Sequence, residues 1–329
     1  MFPKHRHILS LACAAALLCI GCAGPAFAAA KEVRFGYIAA DQLHSPAVLV
    51  MKEKQLLEAA GFSVTWSEFL AGAFVMQDMV AGAINFASCG AVPTMIAHAQ
   101  GVKLAILASA NQEGSSLVVN HAIKTVKDLH NKQIGTPGIG SLQDAIVVQM
   151  AADNGIRVRR RAMKVSDMPL FLQQGEIDGF IAWAPHPARA VERRFGHELL
   201  SSQAIMPGHQ CCVLVTRADT VQNDPDTVNK LLRVYLDAYR WFLDNQDETV
   251  KMMAKAIGIQ ENIVRAALKT VKYPYPPYCN VASMRSMARG LVETDKITTV
   301  KAADLAPFIQ DLYRPELLEK ISGAKQPLP

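Results

Sequence analysis

Short apolar strands alternate with helical segments through most of this 329-residue chain, and the alternation limits the folds available to it. Val33–Ile38 is an apolar run, a helical pattern follows over 46–60 and ends at Gly61, and a second strand follows over 63–69. The same order continues to about residue 216. Strands separated by helices pair mainly in parallel, with helices covering the faces of the sheet. The chain is therefore predicted to be an α/β protein with mostly parallel sheets.

The alternation falls into two units, followed by a tail. From Asp226 to about Leu318 the pattern is almost entirely helical, so the tail is predicted to contain no strand and to pack on the first unit. Lobe 1 is predicted to comprise residues 29–115 and 217–329, and lobe 2 residues 116–216. The chain would then cross between lobes twice. Two crossings form a hinge, and the cleft between the lobes is the expected ligand site.

Residues 1–28 have the pattern of a secretory signal peptide. Lys4–His7 is basic, an apolar run covers 8–20, and Pro25–Ala28 supplies an A-x-A cleavage site. The run is shorter than the roughly 20 residues that a membrane-spanning helix needs. Cleavage after Ala28 would release a soluble periplasmic protein, whereas lipidation of Cys22 would anchor it. Either route excludes most enzymes that depend on cytosolic ATP or NAD(P)H.

The charge balance gives no indication of a nucleic-acid partner. The chain has 34 Lys and Arg residues against 29 Asp and Glu, and the signal peptide removes two of the basic ones. A net charge this small is not typical of nucleic-acid binding. The basic cluster at 157–164 lacks interleaved aromatic residues, so we interpret it as a solvated strand.

No metal or cofactor site is predicted. Of seven cysteines, four remain after cleavage, and their pairing is left open: Cys89, Cys211, Cys212 and Cys279. No C-x-x-C spacing indicates zinc, so adjacent Cys211 and Cys212 are interpreted as small buried apolar residues. His44, His186 and His209 lack any metal-ligand spacing.

A glycine-rich turn over Thr136–Ser141 is the first candidate for ligand contact. It joins a strand to a helix, and Gly138 and Gly140 would let a ligand approach the backbone closely. Ser141 is a suitable N-cap, and free N–H groups at the start of a helix bind anions. No Gly-Lys-Ser/Thr follows, so the turn is not a P-loop, and it lacks the third glycine of a dinucleotide site. An ordinary turn before a capped helix is the alternative.

Two further strand ends carry candidate residues. Gly90 and Ala91 lie in a second turn of small residues that leads into a helix at Pro93, with plain turn chemistry as the alternative. Trp183 ends a strand and His186 follows it, where open α/β sheets bind ligands. A core tryptophan beside a surface histidine is the alternative. The aromatic loop 273–278 lines the cleft or packs against it.

Five segments together resemble one protein family. They are V-R-F-G-Y at 33–37, F-A-S-C-G-A-V-P at 86–93, T-V-K-D-L-H-N-K-Q-I-G-T-P-G-I-G-S at 125–141, I-D-G-F-I-A-W-A-P-H at 177–186 and H-Q-C-C-V-L-V at 209–215. Over roughly residues 31–320 the chain resembles the periplasmic solute-binding proteins of the nitrate/sulfonate/taurine class of ABC importers. None of the segments is a strict motif, but their order and spacing are specific.

The resemblance implies a type II periplasmic-binding-protein fold, in which two α/β lobes are joined by a two-crossing hinge, and no catalysis. A monomer would capture a small anionic or polar organic solute and deliver it to ABC permease and ATPase subunits. With Gly138 of the first turn, the implied ligand-facing residues are His44, Ala73, Gly90, Ala91, Asn111, Gln112, Gly140, Ser141, Trp183, His186 and His209.

One departure from the family bears on the ligand. The family often has Glu two residues before the histidine of the W-x-P-H segment, and this chain has Ala184. A missing carboxylate favours an anionic or neutral ligand, but no Arg or Lys lies in the implied loops either. Two alternatives stay open. One is a binding protein or enzyme of the thiamin-pyrimidine-precursor type on the same fold, and the other is a ligand-sensing lobe for a membrane receptor.

Overall fold

The computed structural model describes residues 30–327. The predicted signal peptide, with its cleavage site and Cys22, lies outside the described residues. Within 30–327, no helix combines the length and the apolar character needed to cross a membrane.

The strands and helices follow the alternation predicted from the sequence. The strands are β1 Lys31–Ile38, β2 Phe62–Phe69, β3 Phe86–Gly90, β4 Leu104–Ser109, β5 Gln112–Glu113, β6 Ser115–Val119, β7 Gln133–Thr136, β8 Arg159–Ala162, β9 Gly179–Trp183, β10 His197–Ser201, β11 Cys212–Arg217 and β12 Val271–Lys272. The helices are α1 Pro46–Glu53, α2 Leu56–Ala59, α3 Gly72–Val80, α4 Ala91–Ala99, α5 Leu142–Asp153, α6 Met168–Gln173, α7 His186–Glu192, α8 Ser202–Ile205, α9 Ala218–Asn223, α10 Pro225–Asp244, α11 Gln246–Ile257, α12 Glu261–Leu268, α13 Val281–Glu293, α14 Leu305–Leu312 and α15 Pro315–Ser322.

The larger strands form two sheets with the same internal arrangement. The first sheet has the order β2-β1-β3-β11-β4, and the second, taken from its far edge, has the order β8-β7-β9-β6-β10. In each sheet the first three strands in this order are parallel to one another. The fourth strand, β11 or β6, pairs antiparallel with the strand on each side of it. The α/β prediction is confirmed, and four of the five strands in each sheet run in the same direction, with β11 and β6 running the opposite way. The antiparallel pairing arises because β6 and β11 enter each sheet from the connections between the sheets.

The return strand β11 corrects the predicted end of the second lobe. The alternation of strands and helices predicts that residues 116–216 form that lobe. β11 instead lies between β3 and β4, with Val213 opposite Cys89 on one side and Ser109 on the other. The first sheet needs this strand, because the backbone groups of β3 and β4 would otherwise have no partner between them. The chain therefore re-enters the first sheet at Cys212 rather than after residue 216.

The helical tail packs mainly on the first sheet. α10 presents a buried face that includes Leu231, Tyr235 and Tyr239, and these side chains pack in one core with Phe35 of β1. The Arg314 N–H, before α15, donates to the carbonyl of Ile106 in β4. The prediction that this tail has no strand is wrong, because β12 pairs with β5. A two-residue strand has no periodicity that a sequence pattern could detect.

The helix predicted over 46–60 is interrupted. Gln55 adopts a left-handed conformation, with φ of 52°, and separates α1 from α2. Leu57 of α2 is fully buried and belongs to the same core as Phe62 of β2. The break thus turns the chain so that Leu57 reaches the core ahead of the next strand.

A substitution at Gly114 can show how tightly the first crossing between the sheets is packed. Its φ is +89°, and a Cβ atom there would lie 2.5 Å from His44 Nε2 and 2.8 Å from Val271 Cγ2. We expect Gly114→Ala to lower the free energy of unfolding by about 3 kcal/mol, since it adds overpacking to backbone strain. Gly155→Ala is the control, because φ is +61° there and no atom lies within 4 Å.

Urea denaturation of both variants separates the cost of overpacking from the cost of backbone strain. The control should lose only about 1 kcal/mol, from the left-handed backbone alone. Equal losses at the two positions would contradict tight packing at Gly114.

Candidate functional site

A cavity lies where loops from both sheets meet. It encloses about 500 Å³ of empty space, part of which is open to solvent. Its walls come from the carboxyl ends of β1, β3, β7 and β9, where open α/β sheets bind ligands, and from the start of β11. The lining residues are Ile38, Asp41, Ala71, Gly72, Ala73, Gly90, Pro93, Pro137, Gly138, Ile139, Gly140, Ser141, Leu142, Gln143, Trp183, Cys211 and Cys212. We call this space the cleft cavity.

The structure brings half of the sequence-predicted residues together at the cleft cavity. Those that line it are Ala73, Gly90, Gly138, Gly140, Ser141 and Trp183. Those that do not are His44, Ala91, Asn111, Gln112, His186 and His209. Four polar lining residues were not predicted: Asp41, Gln143, Cys211 and Cys212. The spacing of Asp41 three residues before His44, at the end of a strand, is the pattern that could have indicated the first of them.

Ser141 caps α5, as predicted, but the turn before it offers fewer free N–H groups than expected. Ser141 Oγ accepts the Asp144 N–H at 3.1 Å, and Asp144 Oδ2 accepts the Gly140 N–H at 2.9 Å. Arg160 donates to the other oxygen of Asp144 at 2.6 Å. The Asp144 carboxylate therefore already lies at the positive end of the helix, where an anionic ligand would otherwise be favoured. Leu142 and Gln143, in the first turn of α5, also line the cavity.

The second small-residue turn is tied to the return strand. The Ala91 N–H donates to the carbonyl of Cys211 at 2.8 Å, and Thr94 Oγ1 donates to the carbonyl of Gly90 at 2.9 Å. Nearby, Ser45 and Ser88 share a buried hydrogen bond of 2.7 Å. These contacts leave Gly90 at the surface of the cavity and hold Ala91 just behind it.

Trp183 connects the two sides of the cleft cavity. Its indole Nε1–H, at the end of β9 in the second sheet, donates to the carbonyl of Ala40 after β1 at 3.3 Å. The ring also meets the imidazole of His186 edge-on, with centroids 6.2 Å apart. Both side chains are buried, so a surface position for His186 is wrong. Trp183 therefore lines the cavity at the strand end where the sequence predicts a ligand contact.

Asp41, His44, Cys211 and Cys212 form a buried group of polar side chains that we call the Cys–His–Asp cluster. His44 Nε2–H donates to the carbonyl of Gly114 at 3.1 Å, while Nδ1 lies 3.4 Å from Cys211 Sγ and 3.4 Å from Asp41 Oδ1. Cys212 Sγ lies 3.6 Å from Asp41 Oδ2 and 3.9 Å from Cys211 Sγ. The interpretation of both cysteines as buried is confirmed, but both also contact the cavity.

Burial and mutual contact shift the pKa values within this cluster. Burial raises the pKa of Asp41 to about 7, although His44 opposes the rise. Burial alone would lower the pKa of His44, but Asp41 and Cys211 outweigh it and raise that pKa to about 9. A hydrogen bond from the Cys212 thiol lowers the pKa of Cys211, and the neighbouring His44 adds to the effect. The imidazole is therefore charged at neutral pH and sits between two acidic groups.

The other predicted residues support the crossing segments instead of lining the cavity. Asn111 Oδ1 accepts the Cys212 N–H at 3.0 Å, and Gln112 pairs with Lys272 of β12. His209 lies at a different, more open depression near Ser283. The aromatic loop 273–278 packs against α10, with the rings of Tyr273 and Phe242 4.7 Å apart, and does not line the cleft cavity.

His186 gives a pH test of this buried environment. Burial, with the charge of Arg189, lowers its pKa to about 4, whereas an unfolded histidine takes up a proton near pH 6.5. Between these values the unfolded state binds more protons, so stability falls as the pH falls. The stability of wild type relative to His186→Gln should therefore fall by about 3 kcal/mol from neutral pH to about pH 4. Urea denaturation of both proteins across this range measures the difference, and a pH-independent difference would contradict buried, neutral His186.

Comparison with known proteins places this geometry in context. The NMT1-like family matches residues 28–258. The taurine-binding periplasmic protein of Escherichia coli is 24% identical over 262 residues, which cover 76% of this chain and 81% of that protein. In sequence, therefore, the chain is similar to a periplasmic binding protein over most of both lengths.

Solved structures confirm the predicted type II periplasmic-binding-protein fold. The periplasmic nitrate-binding protein NrtA from Synechocystis PCC 6803 superposes with a TM-score of 0.76 at 14% identity, covering 89% of each chain. The periplasmic aliphatic sulphonate binding protein SsuA from Escherichia coli superposes with a TM-score of 0.68 at 19% identity, covering 88% of this chain and 99% of its own.

Proposed function

Because the chain belongs to the NMT1-like family, we propose that it is the extracytoplasmic solute-binding component of an ABC importer, which captures a small polar organic solute and delivers it to a membrane permease. The observation that carries the proposal is the cleft cavity, whose walls come from the facing ends of two α/β sheets. The proposed class of ligand, a small polar organic solute, is supported by two proteins to which the chain is similar, which are named as taurine-binding and sulphonate-binding periplasmic proteins.

The polar groups of the cavity favour a zwitterionic head group over a bare anion. No Lys or Arg is among the residues that line the cavity within 30–327, and Asp144 already occupies the start of α5. A sulfonate or carboxylate would be bound by the N–H groups of Leu142 and Gln143. Asp41, on the opposite wall, would accept a hydrogen bond from an ammonium group. A small amino acid or aminosulfonate carries both features.

Transport would follow from closure of the cleft. The two crossings, near Gly114 and before Cys212, form the hinge between the lobes, and a ligand that bridges both lobes stabilises the closed arrangement. Trp183 already contacts the opposite lobe through Ala40. The permease and its ATPase subunits would receive the closed monomer at the inner membrane.

A ligand series tests the solute class. Taurine should raise the melting temperature by mass action, whereas nitrate and ethanesulfonate, which lack the ammonium group, should raise it less. Thermal melts across a concentration range measure the shifts, and mass spectrometry of the recovered solute checks that it is unchanged. A larger shift with nitrate than with taurine would contradict the zwitterionic assignment, and conversion of the bound solute would contradict a binding protein.

Gly138 gives the sharpest test that the first glycine-rich turn contacts the ligand. Gly140 is unsuitable, because its φ of +84° would strain any replacement. Gly138 has no positive φ, and a Cβ there would meet no atom within 4 Å. We expect Gly138→Val to weaken solute binding at least about tenfold, since the side chain takes up ligand space and leaves polar groups unpaired.

The matched control is Gly138→Ala, which adds one carbon and should weaken binding less. Isothermal titration measures the affinities, and melts without ligand should be the same for both variants and wild type. Unchanged affinity in Gly138→Val would assign a purely structural role to this turn.

A further inference from the structure

The Cys–His–Asp cluster brings four donor groups from two distant parts of the chain to one wall of the cleft cavity. Asp41 and His44 follow β1, and Cys211 and Cys212 begin the return to the first sheet, some 170 residues later. All four side chains are at least nine-tenths buried. Asp41 Oδ1 accepts no hydrogen bond of normal geometry among the described residues, and its contact with His44 Nδ1, at 3.4 Å, is longer than a charge-assisted hydrogen bond. A buried carboxylate oxygen held this weakly favours a closer partner, because it has lost its hydration.

The donor atoms of His44, Cys211 and Cys212 lie close enough together to share one metal ion. Zinc bonds are about 2.3 Å long to sulfur and about 2.0 to 2.1 Å long to nitrogen or oxygen. In a tetrahedral site, two sulfur ligands are therefore about 3.8 Å apart, and a sulfur ligand is about 3.5 Å from a nitrogen or oxygen ligand. A nitrogen and an oxygen ligand are about 3.4 Å apart. Here the two sulfurs are 3.9 Å apart and His44 Nδ1 lies 3.4 Å from Cys211 Sγ, whereas Asp41 approaches His44 through Oδ1 and Cys212 through Oδ2. The donor atoms of His44, Cys211 and Cys212 all lie within 4.8 Å of one another.

The orientation of His44 is the second, independent observation. Its Nε2–H donates to the carbonyl of Gly114 at 3.1 Å, which directs Nδ1 toward Cys211 and Asp41. Histidines that bind metals almost always donate their other ring N–H to a carbonyl or carboxylate in this way. The Cys212 backbone is held as well, since its N–H donates to Asn111 Oδ1 at 3.0 Å. The ligating atoms are therefore positioned by the surrounding structure.

The donor set selects the kind of ion. Two thiolates favour soft or borderline ions over Mg²⁺ or Ca²⁺, and two thiolates with one imidazole suit Zn²⁺. We propose that His44, Cys211 and Cys212 form a binding site for Zn²⁺ in the wall of the cleft cavity, with the Asp41 carboxylate beside them. Since Asp41 and both cysteines line that cavity, the ion would enter through the cleft.

With a bound ion, Cys211 and Cys212 would be metal ligands as well as buried residues. The sequence has no zinc-site spacing because the ligands come from two distant segments, His44 after β1 and the Cys211–Cys212 pair, whose proximity depends on the fold. A disulfide within the second pair is the competing arrangement, but both thiols are free here and their sulfurs are 3.9 Å apart, far beyond a bond of about 2.05 Å.

Cobalt and zinc titrations of the reduced protein test the site. Co²⁺ added to metal-free protein should produce the strong visible bands of a tetrahedral ion and the near-ultraviolet bands of thiolate ligation, saturating at one ion per chain. Zn²⁺ should then remove both sets of bands. Cys211→Ser and Cys212→Ser should each weaken Zn²⁺ binding by roughly 100-fold or more, since a metal ligand contributes at least as much as a second-shell partner.

Two other buried thiols supply the matched controls. Cys89 contacts Thr94, and Cys279 lies near Tyr313, so neither belongs to the cluster. Cys89→Ser and Cys279→Ser should keep the affinity and spectrum of wild type. Thermal melts of each metal-free variant check its folding, and the wild-type cobalt spectrum tests thiolate ligation without any variant.

Three outcomes would overturn the proposal. They are a reduced wild type that gives no thiolate–cobalt bands, an equal loss in Cys89→Ser, and a double variant Cys211→Ser/Cys212→Ser that binds Zn²⁺ as wild type does. The double variant keeps every other cysteine of the chain. Solute binding is measured separately on zinc-free protein, so failure of the metal site leaves the proposed transport function intact.

Discussion

The buried hydrogen-bond network around Gln210 is the interaction on which the cleft depends. The Gln210 side chain is fully buried, and its Nε2 lies 2.9 Å from Ser109 Oγ and from the carbonyls of Asn111 and Cys212. Its Oε1 accepts the Asn280 N–H. These partners belong to both crossing segments and to the start of α13. A fully satisfied polar network of this kind rigidifies and specifies a single arrangement, whereas one lost partner leaves a costly buried group.

The network explains why residues predicted as ligand contacts serve another purpose. Asn111 and Gln112 lie at the correct place in the fold, the first crossing, but their hydrogen bonds hold the two crossings together. The cavity surface is left to small residues and backbone from Gly90 and the turn 137–143. Residues of the hinge and residues that line the cavity are neighbours in this fold. Residue type alone does not show which of the two roles a polar side chain has.

The parts that the sequence predicted well are those determined locally. β1, β2 and β9 end at Ile38, Phe69 and Trp183, as predicted, because a short apolar run between turn residues identifies a buried strand. Gly138, Gly140 and Ser141 line the cavity because turn chemistry places them at a strand end. The Cys–His–Asp cluster was missed because its members are about 170 residues apart and meet only when β11 inserts beside β3. The use of the Gly140 N–H by Asp144 was missed for a related reason, since Arg160 on another strand completes that arrangement.

The cluster and the hinge share one side chain. His44 contacts the cavity wall through Nδ1 and the carbonyl of Gly114, at the first crossing, through Nε2. The opposite side of the cluster is joined to the second crossing, because Cys211 and Cys212 directly follow Gln210. A change in charge or occupancy at this wall therefore acts on groups that are hydrogen-bonded to both crossings. Under the proposed function, the lobes open and close about those crossings. The wall and the hinge would then move as one unit, and a bound species that contacts the wall would be energetically coupled to closure.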